Sequence, residues 1–382
     1  MKLFHISDLH IGKKVNGFSM IEDQKYILTE IVRMIEDERP DMLLISGDVY
    51  DVKQPSAEAV ALLDGFLRRL AKVHADTGMD TCIISGNHDS AERLAYASSI
   101  IDISGIHISP VYNGDITVYT REDEYGEVDF YLLPFLRPAD VRKFFQDEEI
   151  NSYDDAIRVV TEHLDVDTSK RNVILSHQFV TGAKRCESEE VIVGGLDNIS
   201  VSDFDDFDYV ALGHIHGPQK IGRETIRYSG TPLKYSFSEE HDRKSLVEID
   251  LGQKGDVEVS LHELSPRHDM RVIRGSYDDI MNRENYKNTA TDDYVKIILT
   301  DEEDIPSAIE KIRVVYPNIM QLEYDNKRTR SAQVIEGDTE VNEKSPQQLF
   351  EEFYELQNNQ EMSEEQRTFM KEMIESIWEN EL

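Results

Sequence analysis

Short apolar runs alternate with helix-length amphipathic stretches from Lys2 to about Glu263. The runs are bounded by turn-forming residues and predict strands at 2–7, 42–46, 81–85, 115–120, 128–134, 172–176, 209–213, 226–229, 246–251 and 257–264. Residues 20–39 repeat apolar positions at helical spacing and stop before Pro40. Residues 56–75 do the same, with Ser56 as a candidate N-cap. The early strands alternate with helices and the later ones follow one another closely. That order predicts an α/β core of layered mixed sheets flanked by helices, spanning residues 1–265.

The pattern changes at Pro266–His268. Strand-like runs at Met270–Tyr277, Tyr294–Thr300 and Met320–Tyr324, with a helix from about Pro306 to Val315, predict a small α+β domain over 268–326. Residues 327–344 are polar, with little apolar periodicity, and read as a linker. Residues 345–382 carry two helix starts, Ser345-Pro346-Gln347-Gln348 and Ser363-Glu364-Glu365-Gln366. One apolar stripe follows each: Leu349, Phe350, Phe353, Tyr354 and Leu356, then Phe369, Met370, Met373, Ile374, Ile377 and Trp378. Two short amphipathic helices on a linker cannot bury their stripes alone, so they fold back on the core or dock on another chain.

Composition narrows the class of protein. The net charge of -35 disfavours loose binding to nucleic acid or to an anionic membrane. The tail from 336 onward holds 14 acids against 3 bases. Cys82 and Cys186 form no Cys-x-x-Cys motif, which favours a reducing compartment, the cytoplasm. No apolar run approaches membrane-spanning length, and the first residues lack the pattern of a signal peptide.

The chemistry lies at strand ends. Five apolar runs terminate in potential metal ligands: Asp8 and His10, Asp48, Asn87-His88-Asp89, His177, and His214 with His216. Each end alone has a plain reading as a turn, a cap or a structural histidine. Five ends of one form, an apolar strand followed by a small residue and then a ligand type, point to one site. On extended chain, residues i and i+2 face the same way about 6.6 Å apart, so Asp8 and His10 could converge on one ion. His214 and His216 could straddle two, with Asp48 as the bridging carboxylate. Oxygen and nitrogen donors without thiolate suit Mn²⁺, Fe²⁺ or Zn²⁺ in open sites. His5, His74, His107, His163, His241, His262 and His268 read as ordinary structural or surface residues.

The set Asp8-x-His10, Gly47-Asp48, Gly86-Asn87-His88-Asp89, His177 and Gly213-His214-x-His216 resembles the calcineurin-like metallophosphoesterases. Within them, His5–Gly12, Gly47–Asp51 and Gly213–His216 resemble the SbcD nuclease subunits of bacteria. The resemblance implies that Asp8, His10, Asp48 and His216 hold one Mn²⁺, and Asp48, Asn87, His177 and His214 the other, with Mg²⁺ as the alternative ion. It implies that His88 is the catalytic acid and that Asp89 orients His88. Asp51 stands where relatives often have His and is left out of the set. The resemblance also implies a capping role for 268–326 and a tail that grips an SbcC-type coiled-coil ATPase. The assembly would be a homodimer of this chain within a heterotetramer, working on DNA in repair, recombination and replication. The implied activity is 3′-to-5′ exonuclease action on duplex and endonuclease action on single strands and hairpins. A stand-alone phosphodiesterase or phosphatase shares every ligand and is the competing reading. A DNA-tethering subunit with a dispensable metal site is a third.

Overall fold

The computed structural model describes residues 1–95, 102–189, 197–326, 350–351, 354 and 362–381. The first half of the chain supplies strands β1 (Lys2–Ile6), β2 (Met42–Ser46), β3 (Asp80–Ile84), β4 (Ile106–Ser109), β5 (Thr117–Asp123) and β6 (Gly126–Leu133). The second half supplies β7 (Arg171–His177), β8 (Tyr209–Gly213), β9 (Gln219–Ile221), β10 (Arg223–Tyr228), β11 (Ser245–Leu251) and β12 (Val257–Glu263). They form two six-stranded sheets, in the orders β12-β11-β1-β2-β3-β4 and β9-β10-β8-β7-β6-β5. In the first, β1 to β4 run parallel while β11 and β12 are antiparallel. In the second, β6, β7, β8 and β10 are parallel and the two edge strands are antiparallel.

The period-two alternation of side chains explains the layering. Leu3, Met42, Leu44, Cys82 and Ile84 on one sheet pack against Phe130, Leu132, Val173, Leu175 and Ala211 on the other. The alternate residues Phe4, Ile6, Leu43, Ile45 and Ile83 face helices α1 (Ile21–Glu38) and α2 (Ala57–Thr77). Ile27, Leu28, Ile31, Val32 and Ile35 form the buried stripe of α1, each worth about 1.5–3 kcal/mol of transfer energy. Ser56 caps α2 by accepting from Ala59 N at 3.2 Å, as its position in the sequence suggests. On the far side, Ile174, Val210 and Leu212 pack with α3 (Tyr153–Glu162). Neither α3 nor β4 was expected from the pattern. Ser152 and Asp155 form a capping box that starts α3, and only four of its residues are buried.

A third, three-stranded parallel sheet follows, with β13 (Met270–Gly275), β14 (Tyr294–Leu299) and β15 (Ile319–Tyr324). With α4 (Ala308–Arg313) it encloses its own cluster of Val295, Ile297, Leu299 and Ile312. It touches the core through Asp23 of α1, which accepts from Tyr294 Oη at 2.8 Å and lies 2.8 Å from His268 Nδ1. The linker 327–344 and nearly all of the first tail helix lie outside the described residues. The second tail helix is α5 (Glu364–Glu381). Ser363 starts it with the expected box: its Oγ accepts from Gln366 N, and its N donates to Gln366 Oε1 at 2.8 Å. The side chain of Trp378 is outside the described residues. Among the described residues, no helix is long and apolar enough to cross a membrane.

Candidate metal centre

All five strand ends meet at the C-terminal edge of the two sheets, where parallel strands leave their last backbone groups unpaired. The turns there are tight. A Cβ on Gly213 would lie 1.8 Å from Ser46 O, and a Cβ on Gly47 would lie 2.3 Å from His177 Nδ1. The two sheets touch at these glycines, which lets ligands from both converge.

Asp8, His10 and His214 are not on extended chain, and this corrects the sequence expectation. β1 ends at Ile6, and Asp8 and His10 have φ of 53° and 43°. Asp48 has φ 48° and His214 has φ 101°. Left-handed backbone at a non-glycine residue costs of order 1–3 kcal/mol, and it persists where surroundings over-determine it. Four of the seven such residues in the described chain are expected ligands, so the strain is concentrated at this site.

Two half-sites share Asp48. Its Oδ1 accepts from His88 N at 2.9 Å, and its Oδ2 lies 3.6 Å from His10 Nε2 and 3.3 Å from His177 Nε2. On one side, His10 Nε2 faces His216 Nε2 at 3.0 Å, and Asp8 groups with both. On the other, Asn87 Oδ1 lies 3.1 Å from His177 Nε2 and 3.0 Å from His214 Nδ1. Asp8 is held by the hydroxyl of Ser7 and by His214 N at 3.0 Å. All seven expected ligands are thus brought together.

Hydrogen bonds behind the rings fix where the protons are. Ser188 Oγ donates to Glu239 Oε1 at 2.7 Å, so it accepts from His216 Nδ1 at 2.6 Å. His10 Nδ1 has the Asp51 carboxylate 3.3 Å away, off the ring's hydrogen-bond axis but still an acceptor. The His216 proton therefore sits on Nδ1. Burial, the largest cause, lowers the pKa of His10 and His216, so both rings are neutral. The His216 Nε2 lone pair therefore faces His10 Nε2 at 3.0 Å. A divalent ion placed there would take both Nε2 atoms as ligands.

The second half-site is likewise built from buried donors. His177 Nδ1 donates to Ser46 O at 2.8 Å, which turns Nε2 toward the Asp48 and Asn87 oxygens. Burial would lower the His177 pKa, but the Asp48 carboxylate outweighs it and raises it to about 9. Burial raises Asp8 to about 7, with the Asp48 carboxylate adding to the rise. Burial works against ionisation of Asp48 as well, but His177 and His88 hold it well below the usual carboxylate range. Four imidazoles, two carboxylates and one amide, with no thiolate, fit divalent ions of borderline to hard character.

His88 and Asp89 separate in a way the sequence did not suggest. His88 Nδ1 donates to the Asp51 backbone carbonyl at 2.9 Å, which leaves Nε2 as its working nitrogen. The Asp89 carboxylate does not orient that ring. It accepts from the backbone amides of Val49 (3.0 Å), Tyr50 (2.8 Å) and Gly86 (2.9 Å). Those amides are unpaired where β2 and β3 end, and a buried carboxylate is the acceptor that satisfies them. The seven histidines set aside in the sequence contribute no atom to the described ligand groups.

Residues 1–218 match the family described as calcineurin-like phosphoesterase. Residues 266–358 match a second family, described as the type 5 capsule protein repressor C-terminal domain. The SbcD component of the SbcCD nuclease of Staphylococcus epidermidis is 32% identical over 388 residues, with 100% of each chain covered. The chain belongs to the SbcD family of calcineurin-like phosphoesterases. A dimetal phosphatase from Danio rerio is similar in structure, with a TM-score of 0.43 and 12% identity, covering 69% of this chain and 96% of that one.

In this SbcD-family chain, residues outside the motifs hold the expected ligands in place. Ser188, Glu239 and Lys244 stand behind His216. Lys244 Nζ donates to Glu239 Oε2 at 2.6 Å and to His216 O at 2.8 Å, and both side chains are almost fully buried. Asp51 bridges His10 and Lys13, whose Nζ lies 2.8 Å away. Gln24 holds the first ligand loop, donating to His10 O at 2.7 Å and accepting from Gly12 N at 2.9 Å. Asp51 was visible beside a motif, but Ser188, Glu239 and Gln24 lie in stretches with no ligand-like signal.

Proposed function

We propose that this chain is the nuclease subunit of an SbcCD-type complex, hydrolysing DNA phosphodiesters at a centre of two divalent ions. The observation that carries this reading is the facing pair of neutral rings, His10 and His216, with Nε2 atoms 3.0 Å apart beside a shared Asp48 carboxylate. Asp8, His10, Asp48 and His216 would hold one ion, and Asp48, Asn87, His177 and His214 the other. Mn²⁺ is the ion we favour, with Mg²⁺ as the alternative. When bound, the ions polarise the phosphoryl oxygens and offset the charge that develops on them. As the imidazolium, His88 would pass its Nε2 proton to the leaving oxygen, its ring aimed by the Asp51 carbonyl. Asp89 keeps the loop from Gly47 to Asp51 in register with Gly86.

The division of labour along the chain belongs to the same proposal. Residues 1–265 form the nuclease domain, 268–326 a capping domain, 327–344 a linker and 345–382 a tail that binds an SbcC-type ATPase. The chain acts as a homodimer within a heterotetramer in the cytoplasm. It works as a 3′-to-5′ exonuclease on duplex ends and an endonuclease on single strands and hairpins. With 41 bases against 76 acids, most of the grip on DNA comes from the ATPase.

The test is cleavage of end-labelled duplex and hairpin DNA with and without the ATPase, in Mn²⁺ and in Mg²⁺. Metal-dependent cutting that the ATPase stimulates is expected. A chain that hydrolyses a chromogenic phosphodiester but leaves DNA intact even with the ATPase present would sink the reading. His88→Gln is expected to keep metal binding by calorimetry and to lose roughly 10²–10⁴-fold in rate. Deleting 345–382 is expected to leave metal binding intact and abolish co-purification with the ATPase.

A further inference from the structure

A cavity of about 490 Å³ opens beside the metal centre and is lined in part by Gly86, Asn87 and Asp89. Residues 85–92, 110–112 and 135–144 build most of it, with Lys53 at its edge. Ser85 Oγ donates to Pro110 O at 2.7 Å, and Phe135 N donates to Ser85 O at 3.0 Å. Its apolar lining is Pro110, Val111, Tyr112, Phe135, Leu136 and Phe144. The Phe135 ring stands edge-on to the ligand His177, with centroids 6.3 Å apart. Tyr112 and Phe144 meet edge to face at 5.6 Å. Val111 and Phe144 are 48% and 46% exposed, an apolar surface beside a polar centre that the metal chemistry does not use.

The charges on the lining balance. Lys53, Arg137 and Lys143 stand against Asp89, Glu92 and Asp140. Asp140 accepts from Arg137 Nε at 3.0 Å and from Lys143 Nζ at 3.1 Å. A phosphate site would carry a clear excess of positive charge, so the balance favours a largely neutral ligand and the aromatic lining a flat one. The volume falls in the range of about 300–1,000 Å³ typical of small-ligand sites. In a duplex the faces of the bases are hidden in the stack, so a base reaches an aromatic wall only when it is unpaired or extruded.

We infer that this cavity takes one unpaired nucleobase of the strand being cut, adjacent to the scissile phosphate, against the rings of Phe135, Tyr112 and Phe144. The inference rests on the nuclease reading and sharpens its substrate: the strand is opened by at least one nucleotide at the cut. Stacking on an aromatic side chain is sequence-tolerant, because every base has a π-face.

The test uses the full chain with its ATPase and an oligonucleotide with an abasic nucleoside on one or the other side of the cut. Removing the base on the side that occupies the cavity is expected to lower kcat/KM roughly 5- to 150-fold. Phe144→Ala, at an exposed position, is expected to lower kcat/KM on the intact oligonucleotide and to show little further loss on the abasic one. Phe135→Leu keeps the apolar volume without the ring, and calorimetry of Mn²⁺ binding checks that His177 is undisturbed. As an independent readout, 5-iodouracil beside a non-cleavable methylphosphonate linkage is expected to crosslink to Phe135, Tyr112 or Phe144. Equal cutting of intact and abasic strands, or crosslinks only outside these residues, would overturn the inference and leave the nuclease standing. Failure of the wild type to cut DNA at all would instead overturn the nuclease reading and this inference with it.

Discussion

Asp48 is the residue on which both half-sites depend. One oxygen is occupied by His88 N, and the other is shared between the His10 and His177 rings. His216 depends on Ser188, because that hydroxyl decides which ring nitrogen carries the proton. Groups behind a metal-bound histidine are commonly worth 10–100-fold in metal affinity. Ser188→Ala is therefore expected to weaken Mn²⁺ binding by about that factor, measured by calorimetry, with thermal stability nearly unchanged. Glu239→Gln is the wrong probe, because it strands the buried Lys244 ammonium. Asp89 shows how a motif neighbour misleads. It sits next to His88 in sequence, yet its carboxylate is consumed by three backbone amides.

The glycines at the strand ends are where the two sheets come into contact. A methyl group on Gly213 meets Ser46 O at 1.8 Å and His177 Nδ1 at 2.7 Å, so backbone must shift. Gly213→Ala is expected to cost at least about 3 kcal/mol in denaturant titration and to abolish high-affinity metal binding. Ser56→Ala is the contrasting case. It removes only the cap of α2, and it is expected to cost about 1 kcal/mol and leave the metal centre unchanged. The strained residues follow the same logic. Asp8, His10, Asp48 and His214 adopt left-handed backbone because the short turns after β1, β2 and β8 must aim side chains inward at once. Alternation identified the strands and their bounds to within a few residues. The left-handed turns and the short β4 left too little periodicity to be read, whereas α3, with Ala156, Ile157 and Val160 at helical spacing after Ser152, was legible and was missed.

Arg171 ties the second sheet to the far end of the first. Its guanidinium donates to Asp123, to Gly126 O at 2.6 Å, to Leu251 O at 3.3 Å and to Gly252 O at 3.0 Å. Its side chain is 2% exposed. Arg171→Met removes the donor for several buried acceptors and is expected to cost about 3 kcal/mol, read from the shift of the urea midpoint. Burial pushes the Asp123 carboxyl up, but hydrogen bonds, that from Arg171 first among them, hold it below the usual range. Its contribution to stability is thus present above the unfolded carboxyl pKa of about 4 and is lost as pH falls below it. The wild type is expected to lose more stability between pH 4 and pH 2 than Arg171→Met does, measured by denaturant titration at each pH. The charge of -35 acts on the molecule as a whole. The isolated chain is expected to bind duplex DNA weakly and ever more weakly as salt rises, measured by fluorescence anisotropy.

The ligand types and the strands that carry them were readable from the chain, because each pairs an apolar run with a small residue and a donor a few positions on. The donor set pointed to divalent ions without choosing among them, and the family resemblance supplied the choice of Mn²⁺. Folding decided how the donors face one another. His10 and His216 are 206 residues apart and meet at 3.0 Å, and the hydroxyl that sets the His216 proton is 28 residues from it in a loop without pattern. Tautomers, shared carboxylates and the cavity beside Asn87 arise from contacts between segments distant in sequence. Local periodicity holds no record of those contacts.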